Sequence, residues 1–162
     1  MATVLVETQP GHPYATTVTA RTHTLIADEP PPDGEDLGVS PYELLLAALG
    51  TCTAMTLEMY ARRKGWPLEG VQVRLTFERV HCADAATSES DEPRPRTIDR
   101  ITREIALLGA LDDAQRNRMM GIAAKCPVHR TLTGCPTIID SLVSPERQTV
   151  QLSPTGTGTP KR

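Results

Sequence analysis

Aromatic residues are nearly missing from this chain: 162 residues hold one Trp, one Phe and three Tyr. A core without large rings has to be filled by Leu, Ile, Val, Met and Ala, which gives such a chain reason to lean on a partner subunit to complete its burial. A dominant charge is missing too. The formal net charge is −3 with a pI near 5.8, and no long basic block occurs, so the clustered basic face of a nucleic-acid binder is not there. The longest uninterrupted apolar run, residues 44–49, falls far below the roughly 20 residues of a membrane span. The opening "MATVLVETQPG" has neither the basic start nor the apolar centre of a signal peptide, which points to a cytoplasmic protein. Cysteine is also sparse, at four residues. In a reducing compartment four cysteines read as free, catalytic or metal-bound rather than as a disulfide framework.

What is present divides into recognisable segments. The length suits one domain, residues 1–143, followed by a flexible tail, residues 144–162, ending in "TGTGTPKR". Residues 3–7 and the β-branched stretch 14–29 read as two strands of a hairpin, and "PPPDGEDLG" as an exposed linker whose prolines forbid regular structure. Ser40, Pro41 and Glu43 form a capping-box start for a helix that runs to Lys64, with Arg62, Arg63 and Lys64 in its last turn and Gly65 at its exit. That helix is apolar nearly all round over residues 44–55, so it is expected to be central and buried. Residues 71–81 alternate as a strand with one buried face, "CADAATSESDEPRPR" is a loop, and residues 98–109 return as the pairing strand. Asp112 and Gln115 open a second helix, Pro127 ends it or opens a third, and "PTIIDSLV" reads as a last strand. Strands and helices segregate rather than alternate, which argues for an α+β fold.

Two thiols carry the chemistry. Cys52 sits mid-helix on the face of Leu45, Ala48, Leu49, Met55, Thr56 and Met59. One reading is a small hydrophobe made inert by leucine neighbours. Against it stand Gly50, costing roughly 1 kcal/mol in a helix interior, and the small or hydroxylated Thr51, Thr53 and Thr56, which suit a pocket wall. Cys126 precedes Pro127 at the start of "PVHRTLT", where free N–H groups and the dipole lower a thiol pKa, with Lys125, His129 and Arg130 close by. A cysteine merely packed at a helix junction is the alternative. A zinc site from Cys126, His129, Cys135 and Cys82 is a third reading, but it lacks the two tight ligand pairs of a structural site. Spacing alone leaves redox pair and packing undecided.

The segments "SPYELLLAALGTCTAMTLEMYARRKGWPLEGV", "VQVRLTFERVH", "IDRITREIALLGALDDAQRNRM" and "IAAKCPVHRTLTG" together resemble the osmotically inducible protein C / organic hydroperoxide resistance (OsmC/Ohr) family, nearest its branch of redox proteins. The resemblance implies an intertwined homodimer, with curved antiparallel sheets around long central helices and sites at the subunit interface. It implies a peroxidase without bound cofactor or metal that reduces organic hydroperoxides. In that scheme Cys52 matches the attacking thiol and Cys126 the resolving one. The resulting disulfide is reopened by a dihydrolipoamide-like dithiol. The electrostatics of the residues favour Cys126 as the more acidic thiol, whereas the family assigns attack to Cys52. Glu43 lies one place nearer Cys52 than the family's catalytic Glu, whose position holds Tyr42. The linker before the helix has no Arg, leaving Arg21 as the nearby candidate. Tyr42, Leu49, Met55 and His129 are expected to line the substrate pocket, with His23 a further imidazole near it. The alternative function is a small-molecule-binding or redox-sensing protein of the same fold with weak peroxidase turnover or none.

Overall fold

The computed structural model describes residues 2–82 and 96–142. The loop expected between the two long strands lies outside these, as does the tail. The described residues form two compact units, residues 2–41 with 137–142, and residues 42–136.

In the first unit β1 (Leu5–Thr8), β2 (Thr16–Ala20) and β3 (His23–Ala27) form an antiparallel sheet in that order. The stretch expected as one strand over residues 14–29 is therefore two. Ala20 faces His23 across a two-residue turn, and Arg21 takes φ 58° to make it. No Gly, Pro or Asn-Gly marks this reversal, and the flanking Thr and Val residues favour extended backbone on both sides. Arg21 is thus an exposed turn residue rather than a strand residue.

The proline-rich segment after β3 is not regular structure, but it is tied down. The buried Asp28 carboxylate accepts hydrogen bonds from the N–H groups of Glu29 at 2.9 Å and of Glu35 and Leu37 at 3.1 Å each. The Leu37 N–H leads in holding that carboxyl below the usual range; burial opposes it, and Glu29 and Glu35 add to it. His12 pairs with Glu35 on the same loop. The final strand expected over residues 136–143 does not form in the described part, residues 136–142. Pro136 offers no N–H, Cys135 turns the chain with φ 49°, and Ile138, Ile139 and Leu142 are open to solvent. Apolar composition alone cannot hold a strand without a ladder partner.

In the second unit the helix α1 (Pro41–Lys64) starts and stops where the capping signals place it, and Gly65 exits at φ 65°. The strands β4 (Leu68–Cys82) and β5 (Arg96–Gly109) pair antiparallel from Leu68 opposite Gly109 to Cys82 opposite Arg96. Val71, Val73, Leu75 and Phe77, with Ile101, Ile105 and Leu107, occupy the half-buried face; Gln72, Arg74, Thr76, Thr102 and Glu104 occupy the exposed one. Gly109 takes φ 115°, and a Cβ there would stand 2.2 Å from the Pro67 carbonyl oxygen, so the return from β5 needs glycine. The next helix, α2 (Asp113–Ala123), begins with a complete capping box. Gln115 N–H donates to Asp112 Oδ1 at 2.7 Å, and Asp112 N–H donates to Gln115 Oε1 at 3.1 Å. After it, α3 (Pro127–Thr133) opens at Pro127 with Cys126 as its N-cap.

The core joins Leu57, Tyr60 and Ala61 of α1 to Met119, Ile122 and Ala123 of α2, flanked by Trp66, Leu68, Val71, Ile105 and Leu107. Tyr60 and Trp66 meet edge to face at 5.5 Å, so two of the five aromatics close this core. Among the described residues one side of α1 is covered, and Met55 and Met59 are each 69% exposed. By length and composition α1 would suffice to cross a membrane, with a mean hydropathy of 1.4 over its best window. Counting uninterrupted apolar residues misses this, because Gly50, Thr51, Thr53 and Thr56 break the run without adding charge. The side that packs on α2 makes it a core helix. Leu57 is fully buried there. Leu57→Ala is expected to lower unfolding free energy by about 2–5 kcal/mol, measured by urea denaturation.

Candidate functional site

Cys52 and Cys126 come together. Their side chains are hydrogen-bonded to one another while both remain free thiols. The meeting follows from packing. The α1 stripe of Leu49, Thr53 and Leu57 is buried, and Cys52 lies at its edge, half-buried, with Met55 and Met59 on the open side. The chain leaves α2 at Ala123, and the Cys126 N–H donates to the Ala123 carbonyl at 3.3 Å, which turns the second sulfur inward. Cys126 is fully buried.

The two sulfurs are electrostatically unequal. Burial pushes the Cys52 thiol up, and the hydrogen bond to Cys126 reinforces this; the Val128 N–H and the Thr56 hydroxyl oppose it without prevailing. Burial also acts to raise Cys126. There the hydrogen bond from Cys52, the N–H groups of His129 and Val128 and the Thr53 hydroxyl outweigh it, and its pKa falls below the ordinary thiol value. Cys126 is therefore the more acidic thiol of the pair. This agrees with the acidity expected from the position of Cys126 ahead of Pro127.

The other candidate residues are distributed as follows. Leu49 is buried one turn before Cys52, and its carbonyl accepts from Thr53 Oγ1 at 2.7 Å. Met55 lies one turn after Cys52 on the open side. His129 is half-buried and contributes its backbone N–H to Cys126. Tyr42 and Glu43 do not join the thiols. At 100° per residue Glu43 projects about half a turn away from Cys52, roughly 13 Å along the axis. It lines an apolar groove of about 430 Å³ with Leu46, Ala47, Gly50, Ala54 and Val73. Neither that groove nor a second one along α1, of about 380 Å³, includes either sulfur. Tyr42 stacks on Phe77 with ring centroids 4.3 Å apart. Arg21 and His23 belong to the β2–β3 turn and the start of β3 in the first unit. Among the described residues no three His, Cys, Asp or Glu side chains converge as metal ligands, and Cys135 is exposed.

One residue of the site escaped the reading of the sequence. Arg103 occupies the half-buried face of β5, in line with Ile101, Ile105 and Leu107. Its Nη1 donates to Thr53 Oγ1 at 2.8 Å and to the Ala123 carbonyl at 3.4 Å. A signal existed: in "ITREIALL" the alternation puts an arginine in an apolar register, where a charge needs a reason.

The chain is an antiparallel α+β fold in which a helix-borne thiol meets the thiol of a helix N-cap residue. The family described as OsmC-like protein matches residues 33–140, so the chain belongs to the OsmC-like family. No curated protein sequence matches the chain. Among solved structures, a protein of Psychrobacter arcticus is 23% identical, with a TM-score of 0.61 over 81% of this chain and 88% of that one. An OsmC-like protein of Mycoplasma pneumoniae is 16% identical, with a TM-score of 0.63 over 83% and 89%. An organic hydroperoxide resistance protein OsmC of Legionella pneumophila is 18% identical, with a TM-score of 0.53 over 82% and 90%. At these identities the likeness is one of fold.

The thiol order can be measured by ultraviolet thiolate absorbance against pH in a protein carrying Cys82→Ser and Cys135→Ser. One thiolate is expected below the ordinary value of about 8.5 and the second above it. Adding Cys126→Ser should abolish the low-pH step and leave the high-pH one.

Proposed function

We propose that this protein is a two-cysteine thiol peroxidase that reduces organic hydroperoxides to alcohols. The observation that supports it most is the hydrogen-bonded pair itself: an accessible thiol at a helix edge against a buried, more acidic one. The likeness to an organic hydroperoxide resistance protein agrees with it. Passage of the Cys52 proton to Cys126 leaves the accessible sulfur as thiolate. That sulfur attacks the terminal peroxide oxygen and the O–O bond breaks. The departing alkoxide takes the proton from Cys126 and leaves as alcohol, while Cys52 becomes a sulfenic acid. The Cys126 thiolate then attacks the sulfenic sulfur. The S–O bond breaks, hydroxide takes a proton from solvent to leave as water, and the disulfide closes. An external dithiol of the dihydrolipoamide type returns two electrons, as a reducing cytoplasm allows. Leu49 and Met55 flank the attacking sulfur and suit an alkyl chain.

A second reading, redox sensing or small-molecule binding with little turnover, is favoured by Glu43, which points away from Cys52 in its own chain. Cumene hydroperoxide in slight excess separates the two. The peroxidase reading expects loss of two thiols per chain and a Cys52–Cys126 disulfide on peptide mapping. Cys126→Ser should stall as a dimedone-trappable Cys52 sulfenic acid, and Cys52→Ser should lose at least about 100-fold in rate. A Cys52→Ser protein as fast as the parent defeats the peroxidase assignment.

The functional unit is a homodimer that buries the open side of α1. Two methionines at 69% exposure and an apolar groove along one helix are a surface that a soluble chain does not leave bare. Sedimentation should report a dimer, and Met55→Glu with Met59→Glu should shift it toward monomer.

A further inference from the structure

The last turn of α1 carries Arg62, Arg63 and Lys64, and the helix dipole accounts for basic residues there. It does not account for where two of them lie. At i+3 and i+4, Arg63 and Lys64 share the helix face of Tyr60. The Arg63 guanidinium carbon stands 5.6 Å from the centre of the Tyr60 ring. Arg118 arrives from α2, and its Nε donates to the Tyr60 hydroxyl at 3.3 Å. Backbone groups already answer the open carbonyls of this helix end. The Trp66 N–H donates to the Ala61 carbonyl at 3.0 Å, and the Gly65 N–H to that of Arg62 at 3.2 Å.

Cations gathered on one phenol repel one another unless negative charge answers them. The ion pairs among the described residues are His12–Glu35, Arg79–Asp99 and Arg100–Glu78, and Arg63, Lys64 and Arg118 belong to none. The chain as a whole is acidic, at −3, so this concentration of positive charge is local. Tyr60 is 9% exposed, and its hydroxyl has one proton and two lone pairs. Arg118 occupies a lone pair, and among the described residues no acceptor takes the proton. A largely buried donor left unanswered is costly. The phenol O–H, the remaining N–H groups of the Arg118 fork and the Arg63 guanidinium therefore form one set of donors. The hydrogen bond from Arg118 also lowers the Tyr60 pKa; burial opposes it, and the charges of Arg118, Lys64 and Arg63 add to it.

We propose that Tyr60, Arg63 and Arg118 form a binding site for an oxyanion, the carboxylate or phosphate group of a small molecule, where α1 meets α2. The planar Arg118 fork matches two oxygens of such a group, and the phenol O–H supplies a donor beside it. Arg63 closes the site from over the ring, and Lys64 adds charge without fixing direction. Tyr60 follows Cys52 by eight residues, about 12 Å along the helix axis. The site is therefore separate from the two sulfurs and does not depend on whether they turn over peroxide.

Trp66 is the one tryptophan of the chain and meets Tyr60 edge to face at 5.5 Å, so its emission reports on this site. The full chain is titrated with inorganic phosphate, and separately with acetate, against sodium chloride at matched ionic strength. A saturable change is expected at about millimolar phosphate or acetate, and the anion that half-saturates at the lower concentration identifies the group. Arg118→Met and Arg63→Met should each weaken binding about tenfold. Arg118→Lys, which keeps the charge and loses the fork, should fall between Arg118→Met and the parent, and Tyr60→Phe should also bind more weakly. Arg74→Met removes the same charge from the exposed face of β4 and should bind as the parent does. An emission unmoved by both anions, or moved equally by chloride, overturns the proposal. So does an Arg118→Met protein as tight as the parent, or an Arg74→Met protein that loses as much as Arg118→Met. If Tyr60→Phe fails to fold, the exposed Arg63 and Arg118 variants decide the matter by the same criteria.

Discussion

A thiol removed from water ionises only if hydrogen-bond donors replace the water, and the contact between Cys52 and Cys126 is where this protein supplies them. Cys126 is enclosed completely, yet Cys52, the Val128 and His129 N–H groups and the Thr53 hydroxyl together lower its pKa. Cys52 sits half-buried at the rim, where burial prevails and its pKa rises. The disparity leaves the two sulfurs unequal: Cys52 is the more accessible and Cys126 the more acidic.

The rest of the second unit serves this contact. The buried stripe of α1 against α2 fixes the height of Cys52, and the turn from Ala123 through Cys126 into α3 sets the depth of its partner. Pro127 begins α3, whose first-turn N–H groups at Val128 and His129 lower the pKa of the Cys126 thiol. The long β4–β5 pair covers the core with its aliphatic face and delivers one guanidinium through it. A shift of β5 by one residue would expose Ile101, Ile105 and Leu107 and carry Arg103 out to solvent.

The open side of α1 is the counterpart of the aromatic-poor composition. A helix that is apolar round most of its circumference cannot be satisfied by one layer of neighbours, and the described residues furnish one. Threonines at 51, 53 and 56 interrupt that apolarity beside Cys52. Each satisfies its own hydroxyl on the backbone a turn earlier, so each packs as a small side chain. Thr53 alone is also engaged by a cation from another element.

Residue order by itself determined the ends of α1, the capping box of α2 and the alternation of β4 and β5. Each depends on neighbours within a few positions, and local hydrogen bonding decides it. The turn at Arg21 was illegible because nothing but a left-handed φ marks it. The strand expected over residues 136–143 was misread because apolar content cannot reveal whether a ladder partner exists. Glu43 was a candidate through the family resemblance, one place from the family's Glu; within this chain helical phase sets it about half a turn from Cys52. Only the tertiary structure decided that two sulfurs separated by most of the second unit come together. Only it brought Arg103 behind Thr53, because both meetings depend on how α1, β5 and the α2–α3 turn pack. Such distances are set by the fit of buried surfaces, and no local pattern encodes them.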